Sequence, residues 1–379
     1  MTIACQRHLF EIPDDIAYLN CGFMSPLLKG VRFAGTQGLA RKSRPWEITP
    51  RDFFTESETA RGLFAQLVGA RTDDIAIIPA VSYGLAIAAA NIPVQARQSI
   101  IVLDGQFPSN VHCWNEIARE NQARVVTVRR ADGRDWTTAI MEALDATTAA
   151  VAVPHCHWID GTVIDLEAIG ARCRELGAAL LVDVTQSLGV MPFDVARIRP
   201  DFVVAATYKW LLGPYSLGFA YIAPQWQSGV PLEHNWIARR DSEDFNNLIR
   251  YRKDFQPGAR RFDVGERSNF ALMPAAISGM KQLIDWGIGE ISETLRAMTH
   301  NIAERAGALG LQAAPAQFRS PHYLSVKWPA SRAEALMSRL AEHKVHISQR
   351  GGSLRITPHL YNNEADIDRL LAAFKEALV

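Results

Sequence analysis

A lysine and an aspartate near the middle of the chain each follow a short run of apolar residues. Asp183 ends the run 178–182, and Lys209 comes three residues after the run 202–206. If these runs are neighbouring strands, the amine and the carboxylate lie at the same edge of a sheet. An amine can form a Schiff base with an aldehyde, and a carboxylate can keep a pyridine nitrogen protonated. The pair therefore predicts a pyridoxal phosphate (PLP) site, whereas a lone lysine would be expected in a solvated loop.

Strand-like and helical patterns alternate through most of the chain, and this alternation would position the pair. Further strands are indicated by apolar runs at 99–104, 124–128, 148–153 and 217–222. Strands that alternate with helices predict an α/β fold with a mostly parallel sheet sandwiched by helices. Ligands of such sheets bind beyond the carboxyl ends of the strands, where Asp183 and Lys209 are expected. We assign residues 16–270 to this large domain.

The pattern changes near residue 273, where one long helical stretch through residues 277–295 replaces the regular alternation. The later part of the chain shows strand-like runs at 324–328, 345–348 and 354–356, with helical patterns at 333–342 and 364–378. This order predicts a smaller α+β C-terminal domain. We assign residues 271–379 to it, together with residues 1–15.

Three further side chains near strand ends could complete a cofactor site. Ser82 follows the strand-like run 75–78 and opens a helical stretch, so it could cap the helix while neighbouring N–H groups bind a phosphate. Phe107 follows a strand and could stack on a pyridine ring. Gln186 could reach the phenolate oxygen of the cofactor. The plainer alternatives are a simple helix cap, a core phenylalanine and a surface glutamine.

Several motifs together resemble the class V aminotransferase family of fold-type I PLP enzymes, which includes cysteine desulfurases, kynureninases and isopenicillin N epimerase-like proteins. The motifs occur in order across nearly the whole chain. They are Tyr18-Leu19-Asn20-Cys21-Gly22, the Asp-x-x-Gln of Asp183 to Gln186, Thr207-Tyr208-Lys209-Trp210-Leu211-Leu212-Gly213-Pro214, and the segment 354–363. The resemblance implies the PLP-dependent transferase fold of type I and a homodimer.

The resemblance also implies roles for individual residues. Lys209 would form the Schiff base and move the proton at the substrate's α-carbon, Asp183 would pair with the pyridinium, and Phe107 would stack on the ring. Arg355 would bind the α-carboxylate, beside a substrate loop that includes Asn20 and Gly22. The other cofactor contacts would come from Ser82, Tyr83, His157, Gln186 and Tyr208, and from Ser268 and Asn269, which would reach the cofactor of the partner subunit.

The same residues leave the reaction open within one class of enzyme. The leading prediction is a PLP-dependent aminotransferase that acts on an amino acid or amine through Lys209. The segment Phe107-Pro108-Ser109 and Tyr208 favour a kynureninase-like or other C–S or C–C lyase as the alternative, and an epimerase would use the same base. No cysteine follows Cys173, so the nucleophile of cysteine desulfurases is missing. A non-catalytic binding protein would be expected to lack the lysine, its aspartate or the carboxylate-binding arginine, and all three are present.

Composition narrows the expected partners and compartment. Forty basic residues balance forty acidic ones, so nothing indicates a nucleic-acid partner, and no apolar run approaches the ~20 residues of a membrane span. The five cysteines include no CxxC pair, which predicts reduced thiols and a cytoplasmic protein. His155-Cys156-His157 lacks the spacing of a zinc site, so no metal is expected. The expected partners are an amino acid or amine substrate and a second copy of the chain.

Overall fold

The computed structural model describes residues 2–131 and 133–379. In these residues the strands are Ala17–Tyr18 (β1), Ile75–Ile78 (β2), Ser99–Leu103 (β3), Arg124–Val128 (β4), Thr148–Pro154 (β5), Ala179–Asp183 (β6), Phe202–Ala206 (β7), Gly218–Ile222 (β8), Gln312–Ala313 (β9), Leu324–Lys327 (β10), Val345–His346 (β11), Ser348–Arg350 (β12) and Ser353–Ile356 (β13). The helices are Lys29–Ala40 (α1), Thr55–Val68 (α2), Val81–Asn91 (α3), Ser109–Glu120 (α4), Trp136–Ala143 (α5), Leu166–Leu176 (α6), Val195–Ile198 (α7), Leu272–Trp286 (α8), Ile288–Ala308 (α9), Ala333–Glu342 (α10) and Glu364–Leu378 (α11). None of the helices in this described part is long and apolar enough to cross a membrane.

Seven of these described strands form the main sheet, in the order β2-β8-β7-β6-β5-β3-β4. The strands from β7 to β4 in this order are parallel to their neighbours, and β8 runs antiparallel to both β7 and β2. Alternate residues of β2 enter two separate apolar cores, Ile75 and Ile77 on one face and Ala76 and Ile78 on the other. Both faces are therefore covered, as parallel strands require. The predicted α/β fold with a mostly parallel sheet is confirmed.

Four more of the strands given above form a second, antiparallel sheet in the order β12-β13-β10-β9. Its core joins Leu324 and Ile356 to Phe374 of α11. It also takes in Ala17 and Val345, which are opposite each other where β1 pairs parallel with β11. The buried residues of α8 belong to the core of the main sheet, and those of α9 join the second core from Ile302 onwards. The domain boundary between residues 270 and 271 stays a prediction.

The central strands of the main sheet end together at one edge. β5 and β6 end side by side, with Pro154 opposite Asp183, and Asp183 is in turn opposite Val204 of β7. Lys209 follows the end of β7 by three residues, and Phe107 follows the end of β3 by four. The sheet therefore brings together the segments that were predicted to carry the site.

Helix α3 lies close against the main sheet because Gly84 has no side chain. A Cβ atom at Gly84 would lie 2.6 Å from Cγ1 of Val204 and 2.9 Å from Cδ1 of Ile78. We expect Gly84→Ala to lower the free energy of unfolding by about 1–3 kcal/mol through overpacking. Gly62→Ala in α2 is the matched control, because its Cβ would meet no atom nearer than 3.8 Å, and it should stabilise the helix by about 0.5–1 kcal/mol. Urea unfolding compares the two variants, and equal stabilities would contradict this packing.

Candidate active site

A cavity of about 240 Å³ opens at the edge where the central strands end. It lies between the start of α3, the loop after β3, the ends of β5 and β6, and the loop after β7. The predicted site residues in its wall are Ser82, Phe107, Asp183, Gln186, Tyr208 and Lys209. Other residues in the wall, which the sequence did not single out, include Cys156, Trp158, Thr185 and Tyr215.

Lys209 is held by a compact loop between β7 and β8. The Thr207 hydroxyl lies 2.5 Å from the carbonyl oxygen of Pro214 and 3.0 Å from that of Leu217, which closes the base of the loop. The Lys209 side chain is buried, and its Nζ lies 5.6 Å from the ring centroid of Phe107. The amine therefore faces the cavity beside an aromatic ring.

Burial makes Lys209 a weaker base than an exposed lysine. Loss of water around the ammonium group lowers the pKa of Lys209 to about 8. The positive charge of Arg355 acts in the same direction, and the negative charge of Asp183 opposes it. The neutral amine is the form that attacks an aldehyde, and it is well populated near pH 8.

The Asp183 carboxylate faces the same cavity from the end of β6. Its Oδ1 accepts a hydrogen bond from the Thr185 N–H at 2.9 Å, which fixes its orientation. Burial raises the pKa of Asp183, while the hydrogen bonds of Thr185 and the charge of Lys209 lower the pKa. A cation bound next to Asp183 would therefore stabilise the ionised form of its carboxyl group.

Two aromatic side chains form one wall of the cavity. Phe107 is 39% exposed, and its ring meets that of Trp158 edge to face with centroids 5.4 Å apart. The loop that carries Phe107 is fixed by Gln106, whose amide accepts from the N–H of Leu103 at 2.9 Å and donates to the carbonyl oxygen of Ala152 at 2.9 Å. Phe107 thus has a fixed position from which its ring can contact a flat heterocycle.

The first turn of α3 forms another part of the wall. Ala80, Val81 and Ser82 line the cavity, and the first N–H groups of a helix have no partner inside the helix. Such groups bind phosphate. Tyr83, which was predicted to bind the phosphate with Ser82, instead packs against the core beneath α3, where burial raises its pKa.

Arg355, Gly22 and Gln186 form a hydrogen-bonded cluster beside the cavity. The Gly22 carbonyl oxygen accepts from Arg355 Nη2 at 3.1 Å and from Gln186 Nε2 at 3.0 Å, and the Gly22 N–H donates to Thr357 Oγ1 at 3.0 Å. Arg355 is 2% exposed, its Nε has no hydrogen-bond partner, and no carboxylate of the described residues forms an ion pair with it. A buried guanidinium without an anion is costly, which points to an anionic ligand.

The loop after β5 brings Trp158 to the cavity and leaves the predicted His157 outside it. His157 Nδ1 lies 3.2 Å from Asp160 Oδ1, and its ring centroid is 5.1 Å from that of Trp136. Trp158 lines the cavity, and its Nε1 donates to the carbonyl oxygen of Gly105 at 2.6 Å. Sequence reasoning missed Trp158 because an irregular loop has no periodicity from which the direction of each side chain can be read.

The remaining predicted residues lie outside the cavity wall of this chain. Asn20 is buried, and its Oδ1 accepts a hydrogen bond from Ser348 Oγ at 3.0 Å. Ser268 and Asn269 precede α8, where Asn269 Oδ1 accepts from the N–H of Leu272 at 2.9 Å. The roles predicted for Ser268 and Asn269 concern a partner subunit and stay predictions.

A mostly parallel sheet with reactive side chains gathered beyond its carboxyl ends is typical of α/β enzymes. The family model described as aminotransferase class-V matches residues 49–370. Because this range is most of the chain, the protein belongs to the class V aminotransferase family, a family of enzymes, as its motifs predicted.

Proteins with several different enzyme names are similar to this chain. The chain is 28% identical over 323 residues to an uncharacterized aminotransferase of Bacillus subtilis, YcbU, across 84% of this chain and 82% of that protein. It is 25% identical to isopenicillin N epimerase of Amycolatopsis lactamdurans, across 98% of this chain and 97% of that protein. The solved cysteine desulfurase of Thermococcus onnurineus NA1 has the same fold, with a TM-score of 0.86 at 17% identity over 99% of both chains. So does a K223A mutant of C-DES with glycine linked to PLP, with a TM-score of 0.87 at 18% identity over 98% of this chain and 99% of that one.

Proposed function

We propose that the protein is a PLP-dependent enzyme that acts on an amino acid or amine, with transamination as its reaction. The observation that carries the proposal is the pair of Lys209 and Asp183, which face one cavity from neighbouring strands. Membership of the class V aminotransferase family supports it.

The residues around the cavity fit the parts of this cofactor. Lys209 would hold it covalently through Nζ, Asp183 would pair with its ring nitrogen, and Phe107 would lie against its ring. The phosphate would bind the free N–H groups and hydroxyl at Ser82, together with Tyr208. When bound, PLP accepts the electron pair that is released at the substrate's α-carbon.

Gln186 would contact the phenolate oxygen of the cofactor, and Lys209 would move the α-proton of the substrate. Gln186 Oε1 accepts from Trp210 Nε1 at 2.9 Å and its Nε2 donates to Gly22, so one N–H of its amide stays available for the phenolate oxygen of the cofactor. Lys209 Nζ would take the proton from the substrate's α-carbon and, in transamination, deliver it to a carbon atom of the cofactor. A pKa of about 8 suits this transfer, because a group that titrates near the working pH both accepts and donates a proton readily.

Arg355 would bind the α-carboxylate of the substrate, because it is a buried guanidinium without a carboxylate partner among the described residues. We expect Arg355→Gln to raise KM for an α-amino acid by roughly 10–100-fold, the loss of a charge-assisted contact. The amine that lacks the carboxylate should react in this variant at nearly the wild-type rate. Steady-state kinetics with the acid and the amine measures the difference. Arg332→Gln, at an exposed arginine, is the control, and equal losses for acid and amine would contradict the role of Arg355.

A C–S or C–C lyase is the second candidate. It is favoured by Phe107 and Tyr208, which both lie near the Lys209 amine, with ring centroids 5.6 Å and 5.4 Å from its Nζ, and which the motif resemblance associates with kynureninases. A kynureninase of Pseudomonas fluorescens is 29% identical over 247 residues, across 61% of this chain. Epimerisation would use the same base, with the proton returned to the other face of the α-carbon.

A screen of amino acids against the PLP-loaded protein tests the proposed reaction. Transamination predicts that a substrate converts the cofactor's absorbance to that of the pyridoxamine form and that a keto acid appears in equal amount. Release of ammonia together with a shortened product would establish a lyase. Exchange of the α-proton with inversion and without either product would establish an epimerase.

We also propose that the enzyme is a homodimer in the cytoplasm. Phe33, Leu39 and Trp46 are large apolar residues exposed by 65%, 65% and 77%, and a partner subunit would cover them. Ser268 and Asn269 would then reach the partner's cofactor. The described cysteines are all free thiols, which suits a reducing compartment. Sedimentation velocity at micromolar concentration tests the dimer, and a species of 42.0 kDa alone would contradict it.

A further inference from the structure

The hairpin of β12 and β13 places two arginines on one face. In its antiparallel pairing Arg350 is opposite Ser353, and Ser348 is opposite Arg355. Opposing residues share a face, and so do alternate residues along a strand, so Arg350 and Arg355 lie on the same side of the hairpin. The two-residue turn Gly351–Gly352, with φ of 53° and 83°, sets this register, because such turns require positive φ at both positions.

The two guanidinium groups also share a neighbour at the cavity. Cζ of Arg355 lies 5.6 Å from the ring centroid of Trp158, and Cζ of Arg350 lies 5.8 Å from it. Trp158 lines the cavity that holds Lys209. Both arginines therefore lie beside the same indole at the edge of the cavity, and neither is part of the cavity wall itself.

Among the residues that the structure describes, no carboxylate balances these two charges. Neither arginine forms an ion pair within residues 2–131 and 133–379. Arg350 Nη1 donates to the carbonyl oxygen of Gln349 at 2.7 Å, and Arg355 Nη2 donates to that of Gly22. Like charges on one face of a hairpin repel each other. A single α-carboxylate would neutralise one of them and leave the other without an anion.

We propose that the preferred substrates are acidic amino acids, with Arg355 at the α-carboxylate and Arg350 at a second carboxylate on the side chain. This rests on the proposed function of the site. The methylene groups between the two carboxylates would pack against the indole of Trp158. Arg350 is thus a specificity-determining residue, because an amino acid with an apolar side chain leaves its charge unpaired.

Binding of two unreactive acids of equal length tests the proposal. Glutarate carries a carboxylate at both ends, and valerate carries one. Calorimetry with the PLP-loaded protein should show glutarate binding at least ~10-fold more tightly than valerate, the effect of one further charge-assisted contact. In Arg350→Gln the difference should disappear, while the Kd for valerate stays within about twofold. Arg332→Gln, an exposed arginine outside the hairpin, should behave as the wild type.

Two outcomes would overturn the proposal. Equal affinities of the wild type for both acids would show that Arg350 meets no second carboxylate. Equal weakening of both acids in Arg350→Gln would show that the two arginines hold a single carboxylate.

Failure of the proposed PLP-dependent function can be distinguished from failure of the proposed role of Arg350. Uptake of PLP and its attachment to Lys209 need no carboxylate contact at Arg350, so both are measured before any acid is added. If the protein takes up no PLP, the proposed function fails, and calorimetry with the unloaded protein still compares the two acids. A melting temperature of Arg350→Gln close to that of the wild type shows that its fold is intact.

Discussion

Lys209→Ala should abolish turnover and leave the fold intact. Lys209 is the one lysine in the wall of the described cavity, so no other amine there can hold the cofactor or move the α-proton. Loss of the base alone removes up to about four orders of magnitude of rate. The pKa of Lys209 is lowered to about 8, so at pH 7 the folded state holds a buried ammonium at a cost in stability. Removal of that charge should therefore not lower the melting temperature of the cofactor-free protein.

The matched control is Lys281→Ala, which removes an exposed lysine from α8. It should keep wild-type turnover and the yellow colour of the loaded protein, whereas Lys209→Ala should show neither. Turnover of Lys209→Ala within tenfold of the wild type would contradict the assignment of this residue.

Asp183→Asn should cause the second-largest loss, about 10²–10⁴-fold in kcat/KM. The asparagine has the same shape and can still accept the hydrogen bond from the Thr185 N–H. It carries no charge, so it cannot keep a pyridine nitrogen protonated. Asp183 also raises the pKa of the free Lys209 amine. Its neutralisation should therefore move to lower pH the basic group in the pH profile of kcat, which reports Lys209 while the substrate, and not the lysine, is bound to the cofactor. Steady-state kinetics between pH 6 and 10 measures both effects.

Asp104→Asn is the control for Asp183, because Asp104 is an exposed carboxylate that follows the end of β3 in the same sheet. This variant should keep both the rate and the pH profile. An Asp183→Asn enzyme with wild-type rate would contradict the pairing with the ring nitrogen. An upward shift of the basic pKa would contradict the electrostatic coupling to Lys209.

The sequence predicted the strands of the main sheet closely, because each is a short apolar run between polar segments. The run 99–104 became β3, and the run 124–128 became β4 with the same bounds. The order of the strands and the antiparallel direction of β8 depend on packing between distant segments, so a local pattern does not contain them. The helical pattern after residue 273 is continuous in the sequence. The structure divides it into α8 and α9 at Gly287, which has φ of 80°.

The cavity residues that could be predicted are those fixed by a strand end. Asp183 ends β6, and Lys209 and Phe107 follow strand ends at short distances. Tyr83 and His157 were predicted from the family resemblance, and neither of them is part of the cavity wall. Arg350 reaches the site only through the pairing across its hairpin, which a linear sequence does not display.

The most direct test of the central claim is to locate the bond between the cofactor and the protein. Sodium borohydride reduces a link between a lysine and an aldehyde to a stable secondary amine, which survives digestion of the protein. Mass spectrometry of the PLP-loaded, reduced and digested protein should find the added mass on Lys209 alone. The same mass on another lysine, or on none after full loading, would contradict the account.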